Sequence, residues 1–199
     1  MEIIMAEDMG FCFGVKRAIK IARDTRRKTG ENVYTMGSII HNPQVVEELK
    51  EEGIKPVNNL DEIETGYVII RSHGIHPELK SEIIERGLKL VDATCPLVKR
   101  AQNKSRELVE EGYETFVLGE KEHPEVKGIV GRTQGRIKVI NFKDKINIRK
   151  GSRIGLIAQT TQSMEALENV IMRILPLASE LKIYNTICEV TDRRQEEAK

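Results

Sequence analysis

Cys12-Phe13-Gly14-Val15-Lys16-Arg17 returns twice in this chain. It reappears as Cys95-Pro96-Leu97-Val98-Lys99-Arg100 and, more loosely, as Cys188-Glu189-Val190-Thr191-Asp192-Arg193. Each copy follows a short apolar run and opens a stretch with helical periodicity. The chain has only these 3 cysteines in 199 residues, and each is followed within five or six residues by arginine. Three thiols, each at the mouth of its own strand–helix unit, predict three similar lobes meeting at one point.

Outward from those motifs, the pattern repeats a short β-branched run, a polar turn and an amphipathic helix. Strands are expected at 3–6, 33–36, 67–71 and 88–91, with helices at about 15–27, from the end of a turn at 41–43 to about 52, and at 77–86. A second cycle begins at Pro96 with a helix to about 111. Strands at 115–118, 137–140 and 153–158 follow, with a short helix after Glu125 and another at 163–175. Ile183-Tyr184 then leads to Asn185-Thr186-Ile187-Cys188 and a third helix. Such alternation argues for α/β architecture: small parallel sheets covered by helices, two lobes complete and a third only begun. The expected lobes are 1–95, 96–182 and the start of a third at 183–199, with residues 1–12 able to pair with the third lobe's sheet. The basic segment 143–153 reads as a solvated connection within the second lobe.

Composition narrows the function classes. Lys and Arg number 32 against 31 Asp and Glu, a net charge of +1, which gives no electrostatic reason to expect nucleic acid or a membrane surface as partner. Charged residues make up 32% of the chain, an enrichment compatible with a heat-adapted source. Trp is absent, so the core must rest on Ile, Val and Leu. No apolar run approaches the roughly 18 residues that span a bilayer, and the first seven residues lack the basic and apolar regions of a signal peptide. A cytoplasmic chain with an odd cysteine count is not expected to use them as structural disulfides. No coiled-coil or exposed apolar stripe argues for a stable oligomer, so a monomer is expected.

In parallel sheets, ligands bind beyond the carboxyl ends of the strands. His41, His73, Cys95, His123, Gln159 and Cys188 all fall in loops that follow strands. Helix starts favour thiolates, so the residues alone suit a metal or cluster site as well as they suit three buried hydrophobes. Zinc would need a fourth ligand, and the paired C-x-x-C spacing is absent. An iron–sulfur cluster would leave one iron open to a substrate oxygen. The histidines suit hydrogen bonding to a phosphate or diphosphate, although turn histidines are the plain alternative. His76 falls outside the pattern. Glu125 could be a general acid if shielded, or simply a carboxylate at a helix start. Thr160 and Thr161 offer hydroxyls, or a cap for the helix that follows. No P-loop is present.

The set Gly10-Phe11-Cys12-Phe13-Gly14-Val15, His41-Asn42-Pro43, Ser72-His73-Gly74, Asp92-Ala93-Thr94-Cys95-Pro96, His123-Pro124-Glu125, Gln159-Thr160-Thr161 and Asn185-Thr186-Ile187-Cys188 resembles the LytB-type 4-hydroxy-3-methylbut-2-enyl diphosphate reductases. The resemblance implies three α/β lobes in pseudo-threefold arrangement around a [4Fe-4S] cluster, each donating one of Cys12, Cys95 and Cys188. The fourth iron would take the substrate hydroxyl. It also implies a reductive dehydroxylation to isopentenyl and dimethylallyl diphosphate, the last step of the non-mevalonate isoprenoid pathway. By the same resemblance His41, His73 and His123 hold the diphosphate, Glu125 delivers protons, and Thr160 orients the hydroxyl or relays a proton. Ferredoxin or flavodoxin would supply electrons. Family members continue past this chain's end with a Ser-Asn-Ser motif and a further serine that complete the pocket, so most of the third lobe is expected beyond Lys199, and a fragment ending there would be inactive. The rival class is a non-enzymatic iron–sulfur or zinc binding module, such as a redox sensor.

Overall fold

The computed structural model describes residues 9–198, and the strand expected at 3–6 lies outside them. The chain divides into two compact units. One is Phe13–Lys99; the other joins the segment through Cys12 to Arg100 and everything after it.

In the first unit, α1 (Phe13–Thr29), β1 (Val33–Met36), α2 (Pro43–Glu51), β2 (Ile54–Val57), β3 (Tyr67–Ile70), α3 (Pro77–Glu85) and β4 (Lys89–Asp92) follow one another. The four strands form one parallel sheet in the order β2-β1-β3-β4. Val33 pairs with Ile54 on one side and Tyr67 on the other. Met36, Val57, Val68, Ile83 and Leu88 form its core together with Leu60 and Ile63. Ala18, Ile19 and Ala22 give α1 its buried stripe, and Gly30 ends that helix in a left-handed conformation at φ 66. Strand β2 was not among the expected elements. Pro56 sits inside it, and proline is tolerated there because β2 is an edge strand, bonded only to β1.

The second unit holds most of α4 (Pro96–Glu110), then β5 (Glu114–Leu118), α5 (Pro124–Arg132), β6 (Ile137–Ile140), β7 (Ser152–Ala158), α6 (Met164–Ile174), β8 (Ala178–Tyr184) and α7 (Glu189–Glu197). Its parallel sheet has the order β6-β5-β7-β8. Alternate residues of the central strands feed two cores. Phe116, Leu118, Leu156 and Ala158 pack with Leu167, Val170 and Ile174 of α6. Val117 and Ile157 pack with Ala101 and Leu108 of α4 and with Val126 and Ile129 of α5. Burial on both faces explains why these strands read as continuous apolar runs. Ser163, rather than Thr160 or Thr161, caps α6 by accepting the Ala166 N–H at 3.1 Å.

The two sheets share one connectivity. In each, the first strand lies between the second and third, and the fourth lies outside the third. The strand order reverses between the first and third strands, so their loops flank the crevice where such sheets bind ligands.

Candidate active site

The shared connectivity extends to single hydrogen bonds. Gly37 and Gly119 follow the first strand of each sheet, and their N–H groups donate to Val57 O at 2.7 Å and Ile140 O at 2.9 Å. Gly37 takes a left-handed φ of 67, which favours glycine, and Gly119 is crowded by the third-strand loop. A Cβ on Gly37 would lie 3.0 Å from Arg71 Nη1, and one on Gly119 would lie 2.8 Å from Gln159 Oε1. The cysteine after each fourth strand is held alike: Cys95 N–H donates to Ser72 O at 2.9 Å, and Cys188 N–H to Thr160 O at 2.8 Å. His41 and His123 each stand four residues beyond their glycine.

In the second unit this crevice holds an acid. His123 caps α5, its Nδ1 accepting the Glu125 N–H at 3.2 Å, and Pro124 takes the first helical position. A ring that accepts at Nδ1 while neutral carries its proton on Nε2. Glu125 is 0% exposed. Its Oε1 accepts the Thr160 N–H at 2.8 Å and its Oε2 accepts the Thr160 hydroxyl at 2.7 Å. Burial pushes the Glu125 carboxyl above the ordinary carboxylate range, and the two bonds from Thr160 only partly offset it. The result is a shielded carboxyl that keeps its proton to higher pH, with one threonine fixing both oxygens. Thr161 is engaged elsewhere. Its hydroxyl accepts from Gln159 Nε2 at 2.7 Å, while Gln159 Oε1 accepts the Glu120 N–H at 3.0 Å. The Gln159 amide thus ties the β5 and β7 loops together. Its position directly before Thr160 is the only sequence signal of that role.

In the first unit the equivalent crevice holds imidazoles. The His41 and His73 rings lie 5.2 Å apart at a 43° tilt. Asn42 caps α2 by accepting the Val45 N–H at 3.1 Å, which fixes the backbone immediately after His41. A recess of about 420 Å³ beside His41 is lined by Ser38, Ile40, Asn42, Pro43, Val46 and Lys50 among others, within the size range of small-molecule sites. His76 caps α3, its Nδ1 accepting the Glu78 N–H at 3.4 Å.

Each cysteine stands immediately before a helix: Cys12 before α1, Cys95 before α4 and Cys188 as the cap of α7. All three are free thiols and half-buried. Among the described residues no three His, Cys, Asp or Glu side chains are grouped as a metal site. None of the described helices is long and apolar enough to cross a membrane.

The family model described as LytB protein matches residues 3–199. A 4-hydroxy-3-methylbut-2-enyl diphosphate reductase of Geobacter metallireducens is 46% identical over 199 residues, spanning 100% of this chain and 70% of that relative. The enzyme of the same name from Citrifermentans bemidjiense is 48% identical over 201 residues, spanning 100% of this chain and 71% of the relative. The solved structure of (E)-4-hydroxy-3-methyl-but-2-enyl diphosphate reductase, the terminal enzyme of the non-mevalonate pathway, matches with a TM-score of 0.83 at 42% identity, over 98% of this chain and 71% of that one. The Plasmodium falciparum reductase structure shares the fold at a TM-score of 0.83 and 24% identity, over 93% of this chain and 60% of that one.

Proposed function

The chain belongs to the LytB family, and on that premise we infer that it is an oxidoreductase of the non-mevalonate isoprenoid pathway, a role supported by its similarity to the named reductases. Its reaction reductively removes the allylic hydroxyl of (E)-4-hydroxy-3-methylbut-2-enyl diphosphate. Two electrons and two protons enter, one proton leaves with the hydroxyl as water, and isopentenyl and dimethylallyl diphosphate result.

The observation that carries the reading is the Glu125–Thr160 pair. A carboxyl that burial keeps protonated at the carboxyl ends of β5 and β7 suits a reaction that consumes protons. Glu125 holds the proton, and the Thr160 N–H and hydroxyl fix the direction in which it can be given. Reclosing those two bonds around the resulting carboxylate stabilises the charged state that remains. His123, with its proton on Nε2, presents a donor for a phosphate oxygen; His41 and His73 supply a close pair of further donors. A non-enzymatic redox sensor would have no use for the buried acid.

Cys12, Cys95 and Cys188 fit an iron–sulfur cluster by donor chemistry: three free thiols, each at a helix start that favours the thiolate. A [4Fe-4S] cluster bound by them would supply the electrons. The donor partner would be a small low-potential electron carrier such as ferredoxin or flavodoxin, and the chain would act as a cytoplasmic monomer. Anaerobic reconstitution of the full-length chain with iron and sulfide, followed by assay with a reduced low-potential donor, tests the function. Formation of both isoprenoid diphosphates is expected, and absence of either product from a fully reconstituted sample would overturn it.

A further inference from the structure

The arginines that follow the cysteines within five or six residues have no place in the chemistry above, yet Arg17 and Arg194 make long-range contacts with another cysteine's loop. Arg17, five residues beyond Cys12, places Nη1 3.3 Å from Ala93 O and 3.2 Å from Thr94 O, the two carbonyls immediately before Cys95. These contacts span 76 and 77 residues of sequence and are partly buried. Neighbouring groups of that loop are held as well. Thr94 N–H donates to Asp92 Oδ1 at 2.9 Å, Cys95 N–H donates to Ser72 O at 2.9 Å, and Lys99 pairs with Asp92 at 2.8 Å. Arg194, six residues beyond Cys188, repeats the device: its Nη2 lies 2.6 Å from Gly10 O, two residues before Cys12. Gly10 has φ 80, a left-handed conformation, so the bond fastens the loop at its sharpest point. Arg100, the third in the series, is exposed and makes no such contact among the described residues.

We propose that Arg17 and Arg194 are positioning residues for the cysteine ligands, each guanidinium fastening the loop that leads into another cysteine: Arg17 by the two carbonyls before Cys95, Arg194 by the one carbonyl two residues before Cys12. The proposal rests on the reading of the cysteines as cluster ligands, but its geometry stands without a cluster. Guanidinium suits this role because its planar donors can hold neighbouring carbonyl oxygens at fixed angles and it stays charged at all relevant pH. Holding those carbonyls removes backbone freedom that a ligand set would otherwise have to restrict when it binds metal.

The test uses the metal-free, reduced chain and reads each cysteine separately, by the rate of alkylation with iodoacetamide at fixed pH followed by peptide mass spectrometry. Arg17→Met is expected to raise the Cys95 rate about tenfold, equivalent to about 1.4 kcal/mol, with Cys188 unchanged. Arg194→Met should raise the Cys12 rate and leave Cys95 alone. Arg17→Lys, which keeps the charge on a single donor nitrogen, should restore part of the protection. After reconstitution, the Met variants should lose iron faster to a chelator than the parent chain, with the Lys variant between. An unchanged Cys95 rate in Arg17→Met overturns the proposal, and so does an equal rise at all three cysteines, which marks a general loosening of the fold. A chain that takes up no cluster at all yet shows the selective alkylation pattern contradicts the functional reading and leaves the clamp intact.

Discussion

Thr160→Val removes one hydroxyl at nearly constant volume, and the structure sets both the size and the pH dependence of the effect. The wild-type hydroxyl donates to Glu125 Oε2 at 2.7 Å, while the Thr160 N–H continues to serve Oε1. A hydrogen bond to a neutral carboxyl contributes about 0.5–1.5 kcal/mol, and one to a carboxylate about 1.5–3 kcal/mol. The loss is therefore expected to be about 1 kcal/mol larger once Glu125 is ionised than while it is protonated. The sign follows from linkage. Burial raises the Glu125 pKa in the folded chain above its unfolded value, so the contribution of this group to stability is complete below the unfolded value and fades as pH rises through the folded one. Valine leaves burial less opposed, raises the folded pKa further and carries that fade to higher pH. Because the chain has no Trp, far-ultraviolet circular dichroism in urea is the suitable probe, run anaerobically on the reduced chain from pH 5 to 9.5. The difference between wild type and Thr160→Val should widen with pH, and it should become flat when both carry Glu125→Gln. A constant difference across the range would show that the hydroxyl does not bond an ionisable partner, and the assignment of Glu125 as the proton donor would fall with it.

Other perturbations read different parts of the same frame. Glu125→Gln keeps an acceptor for the Thr160 N–H but has no proton to give; kcat should fall by about 10² to 10⁴ with KM little changed, and a loss confined to KM would assign the residue to binding instead. Gly119→Ala would place a methyl 2.8 Å from Gln159 Oε1 and 2.9 Å from Val126 Cγ2, an overpacking cost of about 1–3 kcal/mol that a thermal melt would report; an unchanged melting temperature would mean the β7 loop yields freely. Leu108→Ala, at a fully buried position whose side chain packs over Gly155, should cost about 2–5 kcal/mol in urea titration, and a smaller loss would mean α4 can settle onto β7.

How much of this was legible in the sequence varies with the kind of signal. The long helices and the apolar strands of both sheets follow from periodicity, since parallel strands buried on both faces leave unbroken β-branched runs. Strand β2 was hidden because Ile54-Lys55-Pro56-Val57 carries a proline, and only the sheet order reveals that it lies at an edge where the missing N–H is harmless. The first half of β8 was hidden for a related reason: Ala178-Ser179-Glu180 has no apolar alternation, and pairing with β7 rather than propensity makes it a strand.

The site divides along the same line. His-Pro-Glu occurs twice, at 76–78 and at 123–125, and both copies fold alike: histidine as cap, proline in the first helical position, and the glutamate N–H on the imidazole. Local chemistry therefore cannot separate them. The Glu78 side chain is 91% exposed, whereas Glu125 is 0% exposed and bonded twice to Thr160. What separates them is that α3 follows a third strand and α5 a first one. The loop after β5 faces the loop after β7 across the strand-order reversal of its own sheet, and this brings Thr160, at a separation of 35 residues, to Glu125. Helix-start chemistry is a property of a tripeptide; a raised carboxyl pKa is a property of the topology that buries it. The same reasoning applies to Arg17 and Arg100, which occupy the same place in the same motif, while among the described residues Arg17 reaches a cysteine loop and Arg100 does not.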